Sequence, residues 1–147
     1  MEKNYPKVYL YKRIVQAKLF IDNHFGNEID LYNIANEACF SRFHFIRLFK
    51  TIYGKTPHQY LINVRIENAK LLLQRGSSIT ETCFSVGFQS VTSFTALFKK
   101  YTKLSPSAYQ QQSVKRQQEM KTLPLHFIPN CFAESKGWTK KSNFQEV

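Results

Sequence analysis

The chain has 147 residues, of which 43% are hydrophobic and 21% are charged, and these proportions fit one ordinary domain or two small subdomains. Lys and Arg outnumber Asp and Glu by 21 to 10, so the formal net charge of +11 indicates a polyanionic partner. The three cysteines form no C-x-x-C pair and no apolar run is long enough to span a bilayer, which argues against a disulfide framework and a membrane protein. We therefore expect a cytoplasmic protein without a signal peptide.

Residues 8–25 predict a supporting helix at the start of the chain. Ile14, Ala17 and Ile21 stand at helical spacing within this segment. Gly26 follows and is a typical residue for ending a helix.

A helix-turn-helix is predicted next. Asp30 is placed to cap a short helix of about eight residues, and a turn at Cys39 and Phe40 leads to Ser41. Ser41 is in turn placed as the N-cap of a second helix, which ends at Gly54. In this arrangement the second helix is the one that fits the major groove of B-DNA.

A long connector helix follows this first helix-turn-helix. Thr56 and Pro57 open the helix, which runs to Arg75 and stops at Gly76. It has enough apolar residues to reach both halves of the chain. We expect these contacts from Tyr60, Leu61, Val64, Ala69, Leu71 and Leu72.

A second helix-turn-helix is predicted after the connector. One serine of the pair 77–78 caps its first helix, and Gly87 and Phe88 make its turn. Its second helix begins at Ser90 and runs to about Thr102.

The C-terminal part begins with one more helix, opened by Ser105 and Pro106. Residues 110–121 are polar and favour helix, whereas 123–132 are apolar and broken by two prolines. Residues 133–147 have no periodicity, and we expect them to be disordered.

The two helix-turn-helix segments are copies of one pattern. Seven residues of the first copy recur with the same type 49 positions later. The pairs are Ser41 and Ser90, Phe45 and Phe94, Leu48 and Leu97, Phe49 and Phe98, Lys50 and Lys99, Pro57 and Pro106, and Tyr60 and Tyr109. The paired Phe and Leu residues lie on one stripe of each repeated helix and are the predicted core.

The repeat predicts an all-α fold with two helix-turn-helix, homeodomain-like subdomains joined by a long connector helix. We place the first subdomain at residues 8–56, the connector at 57–75 and the second subdomain at 76–112. Residues 113–147 are then a partly disordered C-terminal extension.

Three motifs of this chain resemble the signature of the AraC/XylS transcription regulators. They are R-x-x-x-A-x-x-L from Arg65 to Leu72, I-T-E-x-x-x-x-V-G-F from Ile79 to Phe88, and S-x-x-x-F-x-x-x-F-K-K from Ser90 with S-P-x-x-Y after it. The resemblance covers roughly residues 10–110. It implies a DNA-binding domain whose two recognition helices enter successive segments of the major groove of duplex DNA, and activation of transcription through contact with RNA polymerase. As in the short stand-alone members, we expect a monomer with no effector domain before it.

The candidate DNA contacts lie on the faces of the two repeated helices that point away from the core. Arg47 has no acid within four residues, which favours a base or phosphate contact over simple exposure to solvent. Lys50 and Lys99 suit phosphates flanking the groove, whereas Phe43 and Ile46 suit thymine methyls or cover a neighbouring helix. The full predicted set is Arg42, Phe43, Ile46, Arg47, Lys50, Ser90, Thr92, Ser93, Ala96 and Lys99.

Five positions depart from the family pattern. Thr82 and Cys83 stand where an isoleucine and an alanine are common, and Lys103 stands where glycine is usual. Gln110 and Ala96 occupy positions that often hold arginine. We therefore expect the first recognition helix to carry most of the sequence information, and the second to add affinity and read DNA shape.

Other functions have weaker support in the sequence. The alternative to DNA binding is a protein-interaction module whose basic helical surface docks an acidic partner. An enzyme comes third, because the chain has no Gly-rich phosphate loop and no G-x-S-x-G motif. Cys39, His44 and His58 do not have the spacing of a zinc site, so we expect no metal and no cofactor.

Overall fold

The computed structural model describes residues 5–32, 41–123 and 128–137, and every regular element within them is a helix. The helices are α1 (Tyr5–His24), α2 (Arg42–Tyr53), α3 (Pro57–Gln74), α4 (Ile79–Ser85), α5 (Val91–Thr102), α6 (Pro106–Thr122) and α7 (Asn130–Ser135). The all-α prediction is confirmed, with α2 and α5 as the repeated helices. Beyond Tyr32, the short helix predicted after Asp30 and the turn at Cys39 and Phe40 lie outside the described residues.

Side-chain caps fix where the helices begin, as the sequence predicts. Ser41 Oγ accepts a hydrogen bond from the backbone N–H three residues later at 3.3 Å, and Ser90 Oγ does the same at 3.1 Å. At the start of α3, Thr56 and Gln59 form a reciprocal capping box. Each cap satisfies N–H groups that have no partner within the helix, so these starts are determined by local chemistry.

Two hydrophobic clusters divide the molecule into halves. The first half comprises α1, α2 and the N-terminal part of α3, and the second comprises the rest of α3 with α4, α5 and α6. The buried residues of the first cluster are Ile14, Ala17, Ile21, Leu31, Phe45, Phe49 and Leu61. Those of the second cluster are Ile66, Ala69, Leu73, Cys83, Val86, Phe88, Phe94 and Phe98.

Helix α3 belongs to both halves, but its buried stripe differs in part from the prediction. Leu61 joins the first cluster and Ala69 the second, as expected. Leu71, however, is 51% exposed. Ile66 and Leu73 are buried instead, because positions 66, 69 and 73 share one face of a helix.

Helix α6 packs along the end of α3 and continues past residue 112, the predicted limit of the second subdomain. Gln110 Nε2 donates hydrogen bonds to the carbonyl oxygens of Leu73 at 3.1 Å and Ser77 at 2.9 Å. Where the family often has arginine, the amide of Gln110 thus binds carbonyls at the C-terminal end of α3. The division into domains by residue number stays a prediction.

The short helix α7 corrects one expectation for the C-terminal extension. Residues 133–135, predicted to be disordered, are helical. The helix follows Pro129, whose carbonyl accepts a hydrogen bond from the N–H of Phe132 at 3.1 Å. Residues from 138 onward lie outside the described part of the chain. Among the described helices, none combines the length and the apolar character that crossing a membrane requires.

Candidate nucleic-acid interface

Helix α2 has one buried face and one exposed basic face. Phe45 and Phe49 are 2% and 0% exposed in the first cluster. On the other side Arg47 and Lys50 are exposed, and Phe43 is 74% exposed. Because the helix contains no acidic residue, its outer face carries a net positive charge.

Two predicted contact residues of α2 therefore have different environments. Ile46 is half-buried and packs against the first cluster, which favours the interpretation that it covers neighbouring core residues. Phe43 projects an apolar ring into solvent, and a partner surface would relieve this exposure.

Arg42, the first residue of α2, is stacked on Tyr32. Its Cζ lies 3.3 Å from the centroid of the Tyr32 ring, a cation–π contact. The backbone N–H of Tyr32 donates a hydrogen bond to Asp30 Oδ1 at 2.9 Å, which fixes the start of this segment. A stacked guanidinium keeps its N–H groups in a plane beside the ring, where they are able to bind phosphate. Tyr32 was not predictable as a partner of Arg42, because no helical or strand spacing relates the two residues.

Helix α5 presents a smaller outer face than α2. Thr92, Ser93 and Ala96 are exposed, and Lys99 is exposed one turn further on. Ser90 Oγ donates a hydrogen bond to Ser93 Oγ at 3.0 Å in addition to capping the helix. These two hydroxyls bind each other, so Thr92 and Lys99 are the more available polar groups.

The charges on the outer faces of α2 and α5 have no acidic partner among the described residues. The ion pairs within the described part of the chain join Lys18 with Asp22, Lys70 with Glu67 and Lys115 with Glu119, all on other helices. Arg47, Lys50 and Lys99 thus form no ion pair with an acidic side chain of the described residues. Such faces attract a polyanion such as the phosphate backbone of a nucleic acid.

Of the cysteines that the structure describes, Cys83 is buried and Cys131 is exposed. Cys83 is fully buried, its Sγ lies 3.9 Å from the carbonyl oxygen of Phe88, and burial raises the pKa of its thiol. It therefore acts as a small core residue, as predicted, whereas Cys39 lies outside the described residues. Across residues 5–32, 41–123 and 128–137, no three His, Cys, Asp or Glu side chains gather as metal ligands.

Comparison with known proteins assigns most of this architecture. A family model described as a helix-turn-helix domain matches residues 34–112. An uncharacterized HTH-type transcriptional regulator in the cgkA 5′ region of Pseudoalteromonas carrageenovora is 34% identical over 111 residues. That match covers 75% of this chain and 66% of the relative. For three further curated relatives, the chain spans 34%, 35% and 31% of their length.

Solved structures of similar chains share the two-part helical fold. The DNA-binding domain of AdpA, solved in complex with a target DNA, superposes with a TM-score of 0.66 at 28% identity, over 70% of this chain and 94% of that one. A transcriptional regulator from Chromobacterium violaceum, described as containing an AraC-type DNA-binding domain, has a TM-score of 0.63 at 24% identity. It covers 70% of this chain and 93% of its own and shares the fold.

Proposed function

Since this chain belongs to the AraC-type helix-turn-helix family, we propose that it is a sequence-specific DNA-binding regulator of transcription. The observation that carries the proposal is the pair of N-capped helices, α2 and α5, each with a buried aromatic face and an acid-free outer face. Each helix enters one of two successive segments of the major groove. The likeness to the DNA-bound AdpA domain supports this mode of binding.

The side chains of the first helix divide into base-reading and phosphate-binding groups. Arg47 lies mid-helix and donates two hydrogen bonds to guanine, while Phe43 contacts a thymine methyl. Arg42 and Lys50, near the two ends of α2, bind phosphates on either side of the groove. These roles follow from side-chain chemistry and from the exposure of all four groups.

The second helix contributes mainly affinity. Lys99 binds a phosphate, and the short side chains of Thr92 and Ser93 reach phosphate or base edges. Both helices approach the DNA from one side, with N-termini about one helical turn apart, roughly 34 to 36 Å. The connector α3 maintains this separation.

The regulator acts as a monomer in the cytoplasm and activates transcription through contact with RNA polymerase. One chain supplies both recognition helices, so two half-sites are read without a second subunit. We expect neither a catalytic step nor a cofactor for this regulator.

Selection and titration together test the proposal. Genomic fragments retained by the protein are sequenced, and the selected duplex is titrated by fluorescence anisotropy over a range of salt concentrations. We expect the protein to bind the selected duplex about a thousandfold more tightly, or tighter still, than a scrambled duplex. The logarithm of affinity should fall linearly with the logarithm of salt, by about 0.9 per phosphate contacted. Equal affinity for both duplexes, with tighter binding to an acidic protein, would instead establish the protein-docking alternative.

A further inference from the structure

The loop that follows α1 lies between the two halves of the molecule. The side chain of Phe25 packs against both hydrophobic clusters, and it is the one described residue that is shared in this way. Through Phe25 the first half contacts the second at a point away from the axis of α3. Among the described residues, the halves are therefore connected both by the continuous helix and by this loop.

Arg65 on α3 fixes the loop in place. Its Nε donates a hydrogen bond to the carbonyl oxygen of Phe25 at 2.7 Å, and its Nη2 donates one to that of Asn27 at 3.0 Å. Its Cζ also lies 5.6 Å from the centroid of the Phe88 ring, in the turn of the second half. The guanidinium is half-buried, and desolvation lowers the pKa of Arg65. Charge-assisted hydrogen bonds to two carbonyls compensate for this burial.

Two glycines let the loop and the second half approach this closely. Gly87 has a φ of +92°, and a Cβ there would lie 2.7 Å from the Phe25 carbonyl oxygen and 3.0 Å from Arg65 Cζ. A Cβ at Gly26 would lie 3.0 Å from the carbonyl oxygen of Ser85, at the end of α4. We call Phe25, Gly26, Asn27, Arg65 and Gly87 the joint.

We propose that Arg65 is a positioning residue that fixes the direction of α5 relative to α2 and so sets the half-site spacing that the protein accepts. This inference rests on the proposed function. Gly87 lies three residues before Ser90, the N-cap of α5, so any movement at the joint is passed to that helix. On the other side, Phe25 and Asn27 follow α1, which packs in the same cluster as α2.

The joint matters for DNA because a change in spacing moves a half-site in two ways. One added base pair shifts it by about 3.4 Å along the helix axis and rotates it by about 34° to 36°. A single helix such as α3 is able to bend and twist enough to follow part of such a change. A second link away from its axis removes that freedom.

Binding to operators of altered spacing tests the proposal. Arg65→Met keeps an unbranched apolar stem and removes the hydrogen-bond donors. The control is Tyr60→Phe, which removes a 2.8 Å hydrogen bond to Asp22 Oδ1 within the first half. We expect the wild type and the control to lose about tenfold or more in affinity when one base pair is inserted between the half-sites. Arg65→Met should lose less than about threefold on the same insertion, whatever its affinity for the original operator.

A measurement on the free protein separates failure of this inference from failure of the proposed function. In ¹⁵N relaxation, the two halves of the wild type and of Tyr60→Phe should tumble with one common rotational correlation time. Arg65→Met should give two different times. Gly87→Ala should do the same, because a Cβ at this position would lie 2.7 Å from the Phe25 carbonyl oxygen and 3.0 Å from Arg65 Cζ, and so would push the loop and Arg65 apart.

The outcomes are distinct. If the wild type binds no duplex specifically, the proposed function is wrong, and relaxation still decides whether the joint fixes the halves. If Arg65→Met does not fold, Gly87→Ala takes its place in both measurements. A folded variant that keeps the wild-type spacing penalty, or the common correlation time, overturns the proposal.

Discussion

The two halves of the molecule repeat one aromatic core with little change. In the first half, the rings of Phe49 and Tyr60 meet edge to face with centroids 5.6 Å apart. In the second half, Phe98 and Tyr109 meet in the same way at 5.4 Å. Close-packed interiors tolerate few changes of shape, and the buried Phe45 and Phe49 recur as the buried Phe94 and Phe98.

The outer faces of the same helices differ. Where α2 has Phe43 and Arg47, α5 has Thr92 and Ala96 at the corresponding positions. No packing requirement limits these exposed positions. The repeated buried residues therefore determine the fold, whereas the exposed residues that change between the copies are the ones to examine for differences in recognition.

Truncating the repeated core tests whether the two halves are equivalent in stability. Phe49→Ala and Phe98→Ala each remove a ring that is 0% exposed, so each should lower the free energy of unfolding by about 3 to 5 kcal/mol. Urea titration followed by circular dichroism measures both. Phe43→Ala is the control, because its ring is 74% exposed and its loss should change stability by no more than about 0.5 kcal/mol. A small loss for only one of the two core variants would show that the halves are not equivalent.

Exchanging the corresponding outer residues tests the difference in recognition. Arg47→Ala should weaken binding to the selected operator by about 1 to 3 kcal/mol and relax the preference at one or two base pairs. Ala96→Arg should strengthen binding, because it adds a cation at the matching position of α5. Lys99→Ala should instead weaken binding to all sequences alike and lower the salt slope by about one. Fluorescence anisotropy with selected and scrambled duplexes measures all three, and an equal loss for Arg47→Ala on both duplexes would assign Arg47 to phosphate.

Saturation mutagenesis of the operator provides an independent measure of the same difference. Mismatches costing about 1 to 3 kcal/mol should cluster under residues 42–53, where large side chains project outward. Fewer such positions are expected under residues 91–101. Equal penalties in both half-sites would mean that the short hydroxyls of Thr92 or Ser93 read bases.

The second half also contains a buried polar group that the core does not satisfy. Thr82 is 0% exposed, and its Oγ1 has no hydrogen-bond partner among the described residues. Thr82→Val keeps the shape without the hydroxyl and should raise the free energy of unfolding by about 1 to 2 kcal/mol. The matched control is Thr102→Val, which should lower stability by about 1 kcal/mol, because Thr102 Oγ1 donates to the Phe98 carbonyl at 2.8 Å. If both variants changed the free energy of unfolding in the same direction in urea titration, this account would be contradicted.

The tyrosines of the two copies bind different partners, which predicts a pH effect for the first. Burial and the hydrogen bond to the Asp22 carboxylate raise the pKa of Tyr60 above 10.0. The folded state therefore holds this proton more tightly than the unfolded state, so the stabilisation is present below pH 10 and is lost as the pH rises through the folded pKa. Tyr60→Phe should lose about 1 kcal/mol at neutral pH, and less at more alkaline pH. If the stability difference between Tyr60→Phe and the wild type stayed the same as the pH rises through the folded pKa, the pH effect would not come from Tyr60.

Much of the fold was predictable because its determinants are local. The caps at Ser41, Thr56 and Ser90 and the helix end at Gly54 depend on residues within a few positions of each other. The buried face of the connector α3 was harder to predict, because this helix is apolar on more than one face. Its pattern therefore did not decide between Leu71, which is exposed, and its buried neighbours.

The contacts that organise the candidate site were not predictable from spacing. Arg42 stacks on a residue ten positions earlier, and Arg65 binds the carbonyl of a residue 40 positions earlier. No periodicity relates positions so far apart, and the repeat gives no guide, since each contact occurs in one copy only among the described residues. The repeat does, however, identify residues that occupy equivalent backbone positions with different side chains.

Gly54 and Lys103 are such a pair, and they test how the backbone limits the repeat. They stand 49 positions apart, follow the two recognition helices, and have φ values of 72° and 67°. In this left-handed region a residue with a Cβ is strained by about 1 to 2 kcal/mol, whereas glycine is not. Glycine gains about 0.4 to 1 kcal/mol of entropy in the unfolded chain, so Lys103→Gly should stabilise the protein by only about 0.5 to 1 kcal/mol.

The control is Lys103→Ala, which keeps the Cβ and removes the charge. In urea titration its free energy of unfolding should lie within about 0.5 kcal/mol of the wild type. Gly54→Lys should lower stability by about as much as Lys103→Gly raises it, since the same strain is added at the equivalent position. If Lys103→Gly were no more stable than Lys103→Ala, the end of α5 would relieve its strain in a way that the first copy does not.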